Sequence, residues 1–319
     1  MQQALLSNPK FESFRKIKVG VVRGGLSAER RISLRSGRAV LKAFQRLGIP
    51  AVSMDPANPK DFEKKIRHVD ILFIALHGQG GEDGAFQESL ERKGIPFTGS
   101  SALACRKSFN KGISKTYFEK LKISTPPFAL LNKKNWRRIA SEFSEPYFVK
   151  PLDGGSSQGV FLVEDFQKSA EKLKRSIVRF GKLLIEKRIV GRELTAGLLG
   201  HLRLPVVEVK PSRTFYDYKA KYTAGMTVYE VPAKIPVKVA KKIQKIAWRV
   251  YRGLGLSGFS RVDLMLDKNN RPFVLEVNSI PGLTEFSLLP KAARALGISF
   301  EELCLRVLKD GYQRRRKKR

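Results

Sequence analysis

The stretch from Arg261 to Gly282 constrains this chain more than any other. It runs Arg-Val-Asp-Leu-Met-Leu-Asp-Lys-Asn-Asn-Arg-Pro-Phe-Val-Leu-Glu-Val-Asn-Ser-Ile-Pro-Gly. Two alternating runs flank Lys268-Asn269-Asn270-Arg271, a polar centre of turn-forming residues. An antiparallel hairpin folded about Asn269 and Asn270 sets Asp263 opposite Glu276 and Arg261 opposite Asn278. Side chains alternate along a strand, so these four share one face. Val262, Leu264, Leu266, Phe273, Leu275 and Val277 are expected on the other face, against a core. Directly opposed side chains lie roughly 4.5–5.5 Å apart at Cβ, where like charges repel. Asp263 and Glu276 must share a proton, pair with Arg261 or hold a cation. With the amide oxygen of Asn278 they form a set of hard oxygen donors, which Mg²⁺ takes together with water and phosphate oxygens. The alternative is a surface hairpin whose acids are solvated or paired with arginine.

The first hundred residues alternate strands and helices. Expected strands are Ile17–Val22, Ala51–Met54, Asp70–Leu76 and a short one at 96–99. Expected helices run from an N-cap at Ser27 to Leu47, from Asp61 to His68, and over 85–93. Strands this apolar imply a parallel sheet covered on both faces, and ligands of such sheets gather at the strands' carboxyl ends. The loops at 23–30 and 77–84 lie at two of those ends. The second loop, His77-Gly78-Gln79-Gly80-Gly81-Glu82-Asp83-Gly84, carries a histidine that is either an acid/base group or a structural one.

A boundary is expected near Ser100–Ser101. A second, α+β unit then runs to Val190: helix 110–122, strand 128–131, helix 133–143, strand Tyr147–Lys150, strand 160–164, helix 166–180 and strand Lys182–Val190. Between its strands lies Asp153-Gly154-Gly155-Ser156-Ser157-Gln158-Gly159, whose N–H groups and hydroxyls suit phosphate oxygens, or which is a mobile hairpin tip. No Gly-Lys-Ser/Thr opens a following helix, so this is not a Walker loop. Lys150 and Lys111 lie near it; each is either a solvated lysine or part of a nucleoside triphosphate site. Glu186 and Glu193 either meet a ribose or adenine or pair with Lys187 and Arg192. A third unit holds strands 193–200 and 204–211, a loop from Pro211 to Thr227, strand Val228–Val231, helix 236–253, the hairpin and two closing helices. That loop is too long for an ordinary connection and reads as functional. Ser299 and Glu302 form an expected capping box.

Charge raises a separate question. Lysine and arginine number 62 against 29 acids, a formal charge of +33, and Arg314 to Arg319 are all basic. Such a field attracts polyanions, or reflects a basic composition carried on solvated helix faces. No RNA-binding aromatic signature accompanies it, so no specific nucleic-acid partner is expected, while weak association with anionic surfaces stays open. No apolar run is long enough to span a membrane, and no secretory signal is apparent. Cys105 and Cys304 have neither disulfide nor metal spacing; both are expected as packed thiols in a cytoplasmic protein.

Eight segments occur together and in order: GGLSAERRISLRSG (24–37), ALHGQGGEDG (75–84), FTGS (97–100), VKPLDGGSSQG (149–159), LIEKRIVGRELT (184–195), FYDYKAKY (215–222), RVDLML (261–266) and EVNSIPGLTEFSL (276–288). In these the chain resembles the D-alanine–D-alanine ligases of the ATP-grasp superfamily, from about Ile17 to Tyr312. The resemblance implies an α/β and α+β, three-domain ATP-grasp architecture. Its parts are a Rossmann-like domain at 1–101 that binds the first substrate, a central lid at 102–190, a domain at 191–312 with the metal and substrate sites, and a basic tail at 313–319.

The resemblance also implies roles. Lys111, Lys150, Ser156, Ser157, Glu186, Glu193 and Lys221 would contact ATP. Asp263, Glu276 and Asn278 would hold two Mg²⁺ (or Mn²⁺) ions. Glu29, His77 and Ser287 would bind the first D-alanine, and Arg261 with the Gly282 N–H would face the oxyanion. Glu29, Ser156 and Tyr222 would form a hydrogen-bonded group that locks the long loop, and Tyr222 would favour D-alanine over D-lactate as acceptor. A homodimer and a role in peptidoglycan synthesis are implied as well. The chain departs from the family at Asn110, where many relatives carry aspartate, and at Gly154, where they often carry glutamate. Two other readings compete: an ATP-grasp ligase for a different carboxylate, and a basic binding protein that retains an inactive ligase fold.

Overall fold

The computed structural model describes residues 12–155, 158–211 and 227–317. The first sheet is parallel, in the order β2-β1-β3, from β1 (Val19–Val22), β2 (Ala51–Met54) and β3 (Ile71–Ile74). β1 and β3 are buried along their whole length, which is why their sequences are continuous apolar runs rather than alternating ones. Helices α1 (Arg30–Arg46), α2 (Pro59–Ile66) and α3 (Ala85–Arg92) connect and follow these strands. The strand expected at 96–99 is reduced to a single bridge: the Leu72 N–H donates to Pro96 O and the Thr98 N–H to Leu72 O. Pro96 has no N–H with which to extend the ladder.

α1 begins at Arg30, not after Ser27. Glu29 occupies the N-cap, and the Ser27 hydroxyl instead donates to the His77 carbonyl at 2.7 Å. Ser33, Ser36 and Gly37 share the buried face of this helix with Val40 and Phe44, while Ile32 is only half-buried. The small polar residues turn inward because partners wait for them at the site.

The expected helix at 110–122 is α5 (Lys111–Lys120), and a further helix that was not expected, α4 (Ala102–Phe109), precedes it. The break is at Asn110, whose backbone is extended and whose side chain accepts from the Ile113 N–H. Lys111 therefore opens a helix. An antiparallel sheet in the order β4-β7-β5-β6 follows, from β4 (Phe128–Asn132), β5 (Tyr147–Pro151), β6 (Phe161–Val163) and β7 (Lys182–Lys187), with α6 (Trp136–Glu142) and α7 (Phe166–Phe180) over its own core. A five-stranded antiparallel sheet in the order β10-β9-β8-β11-β12 is built from β8 (Gly191–Leu199), β9 (Leu202–Pro211), β10 (Thr227–Glu230), β11 (Phe259–Asp267) and β12 (Pro272–Asn278). α8 (Val237–Leu254) lays Ile243, Ile246, Ala247 and Val250 against it, with its lysines in solvent. The closing helices α9 (Leu288–Arg294) and α10 (Phe300–Lys317) share a core with the first sheet. Only half of the expected capping box forms: Ser299 Oγ accepts from the Glu302 N–H, but the Glu302 carboxylate pairs with Arg306.

The β11–β12 hairpin has the expected register at its chemical end, with Asp263 opposite Glu276 and Arg261 opposite Asn278. Beyond it the ladder slips by one, so that Leu264 faces Val274 and Leu275 is the extra residue of a bulge. The slip reverses the faces of Phe273 and Leu275. Val274 is fully buried in the core with Val262, Leu264 and Leu266, while Phe273 and Leu275 are only half-buried.

Candidate active site

Two groups of side chains, with a third along an adjoining wall, line one cleft of about 390 Å³, within the range of small-molecule sites. Its walls come from β5 and β7 on one side and from β8, β11 and β12 on the other. The bulge gives this cleft an apolar floor, because it turns Leu275 inward beside Met265.

The first group is cationic. Glu186 lies on β7, almost fully buried, between two lysines. Lys150, from the neighbouring strand β5, pairs with its Oε1, and Lys115, from α5, reaches its Oε2 at 2.6 Å. Burial pushes the Glu186 carboxyl up, but the attraction of Lys115 and then Lys150 outweighs it and holds the group at about 2. Burial likewise favours loss of the Lys150 proton, yet Glu186 and Glu276 hold that lysine above its ordinary value. Lys111 Nζ donates to the Gly154 carbonyl at 2.7 Å and stands 4.0 Å from Glu276 Oε2. The Lys111 N–H bonds Leu152 O, and Asn110 Nδ2 donates to Asp153 Oδ1 at 2.7 Å. The head of α5 thus fastens the glycine loop. An aspartate at 110 could not donate to Asp153, so the asparagine departure strengthens this seam. Gly154 sits at φ +127°, which L side chains rarely adopt, consistent with glycine in place of glutamate.

The second group is the hairpin. Arg261 Nε and Nη2 each reach Asp263 at 2.8 Å, Thr195 Oγ1 donates to Asp263 Oδ1 at 2.7 Å, and Asn278 Nδ2 donates to Asp263 Oδ2 at 3.0 Å. Glu276, about a third exposed, lines the cleft with Asp263. Among the described residues no cluster of three His, Cys, Asp or Glu side chains is set to hold a metal. The protein's share is two carboxylates and one amide, all hard oxygen donors; this fits Mg²⁺ that completes its shell with water and phosphate oxygens. Glu193, on β8 beside Met265, also lines the cleft and contributes to the field at Lys150.

The third group centres on His77. Its main chain and ring are held by three serines of the 24–37 segment. Ser27 donates to its carbonyl, Ser33 Oγ accepts from its N–H at 2.9 Å, and Ser36 Oγ lies 2.9 Å from Nε2. Nδ1 is 3.1 Å from the Ile280 carbonyl, which can only accept, so Nδ1 carries the proton and Nε2 accepts from Ser36. Glu82 Oε1 is 3.2 Å from Nδ1; burial pushes the Glu82 carboxyl up, against the opposing pull of His77. Ser36 Oγ also accepts from the Leu283 N–H at 3.3 Å, binding α1 to the Gly282 turn. Ser287 Oγ accepts from the Thr284 N–H at 3.1 Å, and a side chain on Gly282 would meet Ser287 Oγ at 3.1 Å. Glu29 joins this wall to the glycine loop: a Cβ on Gly155 would lie 2.6 Å from Glu29 Oε1.

The structure therefore brings Lys111, Lys150, Glu186, Glu193, Arg261, Asp263 and Glu276 around the cleft, Asn278 beside Asp263, and Glu29, His77, Gly282 and Ser287 along an adjoining wall. Ser156, Ser157, Lys221 and Tyr222 lie outside the described residues. Sequence reasoning missed Lys115, Thr195, Ser36 and Glu82 as members of these networks. Lys115 had one signal: it stands four residues after Lys111, on the same helical face.

The D-ala D-ala ligase C-terminus model matches residues 117–309, and the corresponding N-terminus model matches residues 50–100. The chain belongs to the D-alanine–D-alanine ligase family. The D-alanine–D-alanine ligase of Methylacidiphilum infernorum is 44% identical to it over 296 residues, covering 93% of this chain and 96% of that one. A crystal structure of the Bacillus anthracis D-alanine–D-alanine ligase complexed with ATP superposes with a TM-score of 0.83 at 30% identity, over 95% of this chain and 100% of that one. The D-Ala:D-Ser ligase VanG of Enterococcus faecalis gives a TM-score of 0.80 at 26% identity, over 92% of this chain and 99% of that one. The ligase is thus an enzyme of the ATP-grasp fold, and the reading as a binding protein on an inactive scaffold loses its ground. Among its described residues no helix is long and apolar enough to cross a membrane.

Proposed function

We propose that this ligase joins two D-alanine molecules at the cleft, with ATP supplying the driving force and the dipeptide serving peptidoglycan synthesis. One observation carries the assignment of the site: a cationic group and an oxygen-donor hairpin, from two sheets, line a single cavity, and the His77 wall adjoins it where Glu29 meets Gly155 of the glycine loop. The three sheets also support a division into a first-substrate domain, a central domain and a metal-bearing domain near the expected boundaries. A cytoplasmic location is supported by the two buried, free thiols and by the use of ATP. Homodimerisation is part of the proposal on family grounds.

The chemistry follows from the residues. A carboxylate is a poor electrophile, so the carboxylate of the first D-alanine attacks the γ-phosphorus. A new P–O bond forms, and ADP leaves with the electron pair of the broken one. Lys111 and Lys150 offset charge on the phosphates, and the glycine loop is fastened close by to approach them. Asp263, Glu276 and Asn278 would hold Mg²⁺, which when bound would neutralise phosphate charge. Glu29 and the fixed His77 face the first amino acid. The amine of the second D-alanine then attacks the acyl carbon and loses a proton, and phosphate departs. Arg261 and the Gly282 N–H are the donors for the tetrahedral oxyanion.

The direct test measures phosphate release with ATP, Mg²⁺ and D-alanine, with mass analysis of the product. L-Alanine serves as the control, and D-serine and D-lactate as alternative acceptors. D-alanyl-D-alanine formed with D-alanine alone is the expected result. ATP consumption without that dipeptide, or D-lactate used as readily as D-alanine at neutral pH, would overturn the substrate assignment.

A further inference from the structure

Lys115 lines no part of the cleft and takes no part in the steps above, yet it is the more deeply buried of the two buried lysines among the described residues. A lysine is taken out of water at large cost unless its three donors find partners. Here Nζ meets Glu186 Oε2 at 2.6 Å and Thr125 Oγ1, with the Val274 carbonyl at 3.5 Å. The Thr125 hydroxyl itself donates to the Val274 carbonyl at 2.7 Å, and the Val274 N–H donates to Ser124 O at 2.9 Å. Val274 precedes Glu276 by two residues on β12. Lys115 therefore sits where α5, the β7 carboxylate and the hairpin strand meet.

The charge arrangement is the telling part. One lysine neutralises one carboxylate. Glu186 has two, one facing the cleft and one behind it. With Lys115 ion-paired to Oε2 from behind, Glu186 keeps Oε1 for Lys150 and so fixes where that lysine stands. We propose that Lys115 is a positioning residue for the nucleotide, which holds Glu186 from behind so that Lys150 presents its charge to the phosphates of ATP at a fixed place. The inference rests on the nucleotide reading of the cleft and goes beyond it by assigning the residue that prepares the site.

The test measures ATP affinity by calorimetry and steady-state kinetics on full-length Lys115→Met, Glu186→Gln and the double variant, with Lys150→Met as control. Lys115→Met is expected to weaken ATP binding and raise KM for ATP by about tenfold or more, while kcat at saturating ATP and KM for D-alanine move less than about threefold. Because Lys115 acts through Glu186, the double variant is expected to bind ATP as well as Glu186→Gln does, or better. It also keeps the proposal open to test should Lys115→Met alone fail to fold, since no buried carboxylate then lacks its partner. ATP affinity of Lys115→Met within about twofold of wild type overturns the proposal, as does a double variant clearly weaker than Glu186→Gln. Wild type that binds ATP, with Lys150→Met that does not, keeps the nucleotide reading intact in either case. Wild type that fails to bind ATP overturns that reading and this proposal together.

Discussion

Replacing Glu186 with glutamine probes the centre of the cleft in one step. The change keeps the shape of the side chain and deletes its charge, which leaves Lys115 and Lys150 facing each other across a neutral amide. In the native protein the carboxyl is held at about 2 rather than its usual 4.5. At about 1.4 kcal/mol for each tenfold change in proton affinity, this is about 3 kcal/mol of stabilisation of the charged form. Breaking a buried ion pair from one side costs about 3–5 kcal/mol, so the two routes agree. Urea unfolding at pH 7 should show a loss of about that size, together with a sharp fall in ATP affinity. The pH dependence has a definite sign. A carboxyl depressed in the folded state stabilises fully above its unfolded value and loses that contribution as pH falls through its folded value. The gap between wild type and Glu186→Gln should therefore be constant above about pH 5 and close between about pH 4.5 and 2. A variant as stable as wild type at pH 7 with undiminished ATP affinity would refute the reasoning. A gap that widens in acid would refute the sign.

Glu276→Gln should lower turnover at least about a hundredfold while the fold persists, because it removes one of the two carboxylates offered to Mg²⁺; near-normal turnover in saturating Mg²⁺ would contradict that role. Ser36→Ala leaves His77 Nε2 and the Leu283 N–H without a shared partner. It should cost about 1–3 kcal/mol in stability and raise KM for D-alanine, read by melting and kinetics; a change in neither would show that the network is slack. Gly155→Ala puts a methyl group 2.6 Å from Glu29 Oε1. Turnover should fall severalfold with little change in melting temperature; unaltered kinetics would mean the loop does not need that close approach.

Much of this architecture was legible because a few local rules were strong. Continuous apolar runs marked β1 and β3, and the polar turn at Asn269–Asn270 set Asp263 against Glu276. The bulge was not legible, because Phe273-Val274-Leu275 is apolar throughout and no alternation reveals which of the three is skipped. The helix α4 was missed because Ala102–Phe109 reads equally well as a connection. Ser27 was taken as a helix cap because serine prefers that position, but the His77 carbonyl is a better-placed partner. Ser33 and Ser36 carried no signal of their own, since nothing local tells that a loop more than forty residues away will supply their bonds. Lys115 was lost among the many lysines of the chain. Burial, not residue type, sets it apart.

The seam between the first sheet and the last helices has a consequence for how the chain acquires its structure. α10 covers the first sheet: Arg46 pairs with Glu301 at 2.7 Å, and the Phe14 and Tyr312 rings meet edge-to-face at 5.8 Å. During synthesis these strands must wait for a helix more than two hundred residues further along before their hydrophobic core closes. The four-stranded sheet, whose core is drawn wholly from its own stretch of chain, faces no such delay. Vectorial synthesis thus exposes the apolar face of the first sheet while the intervening chain is made, and transient protection by a chaperone would matter most over that interval.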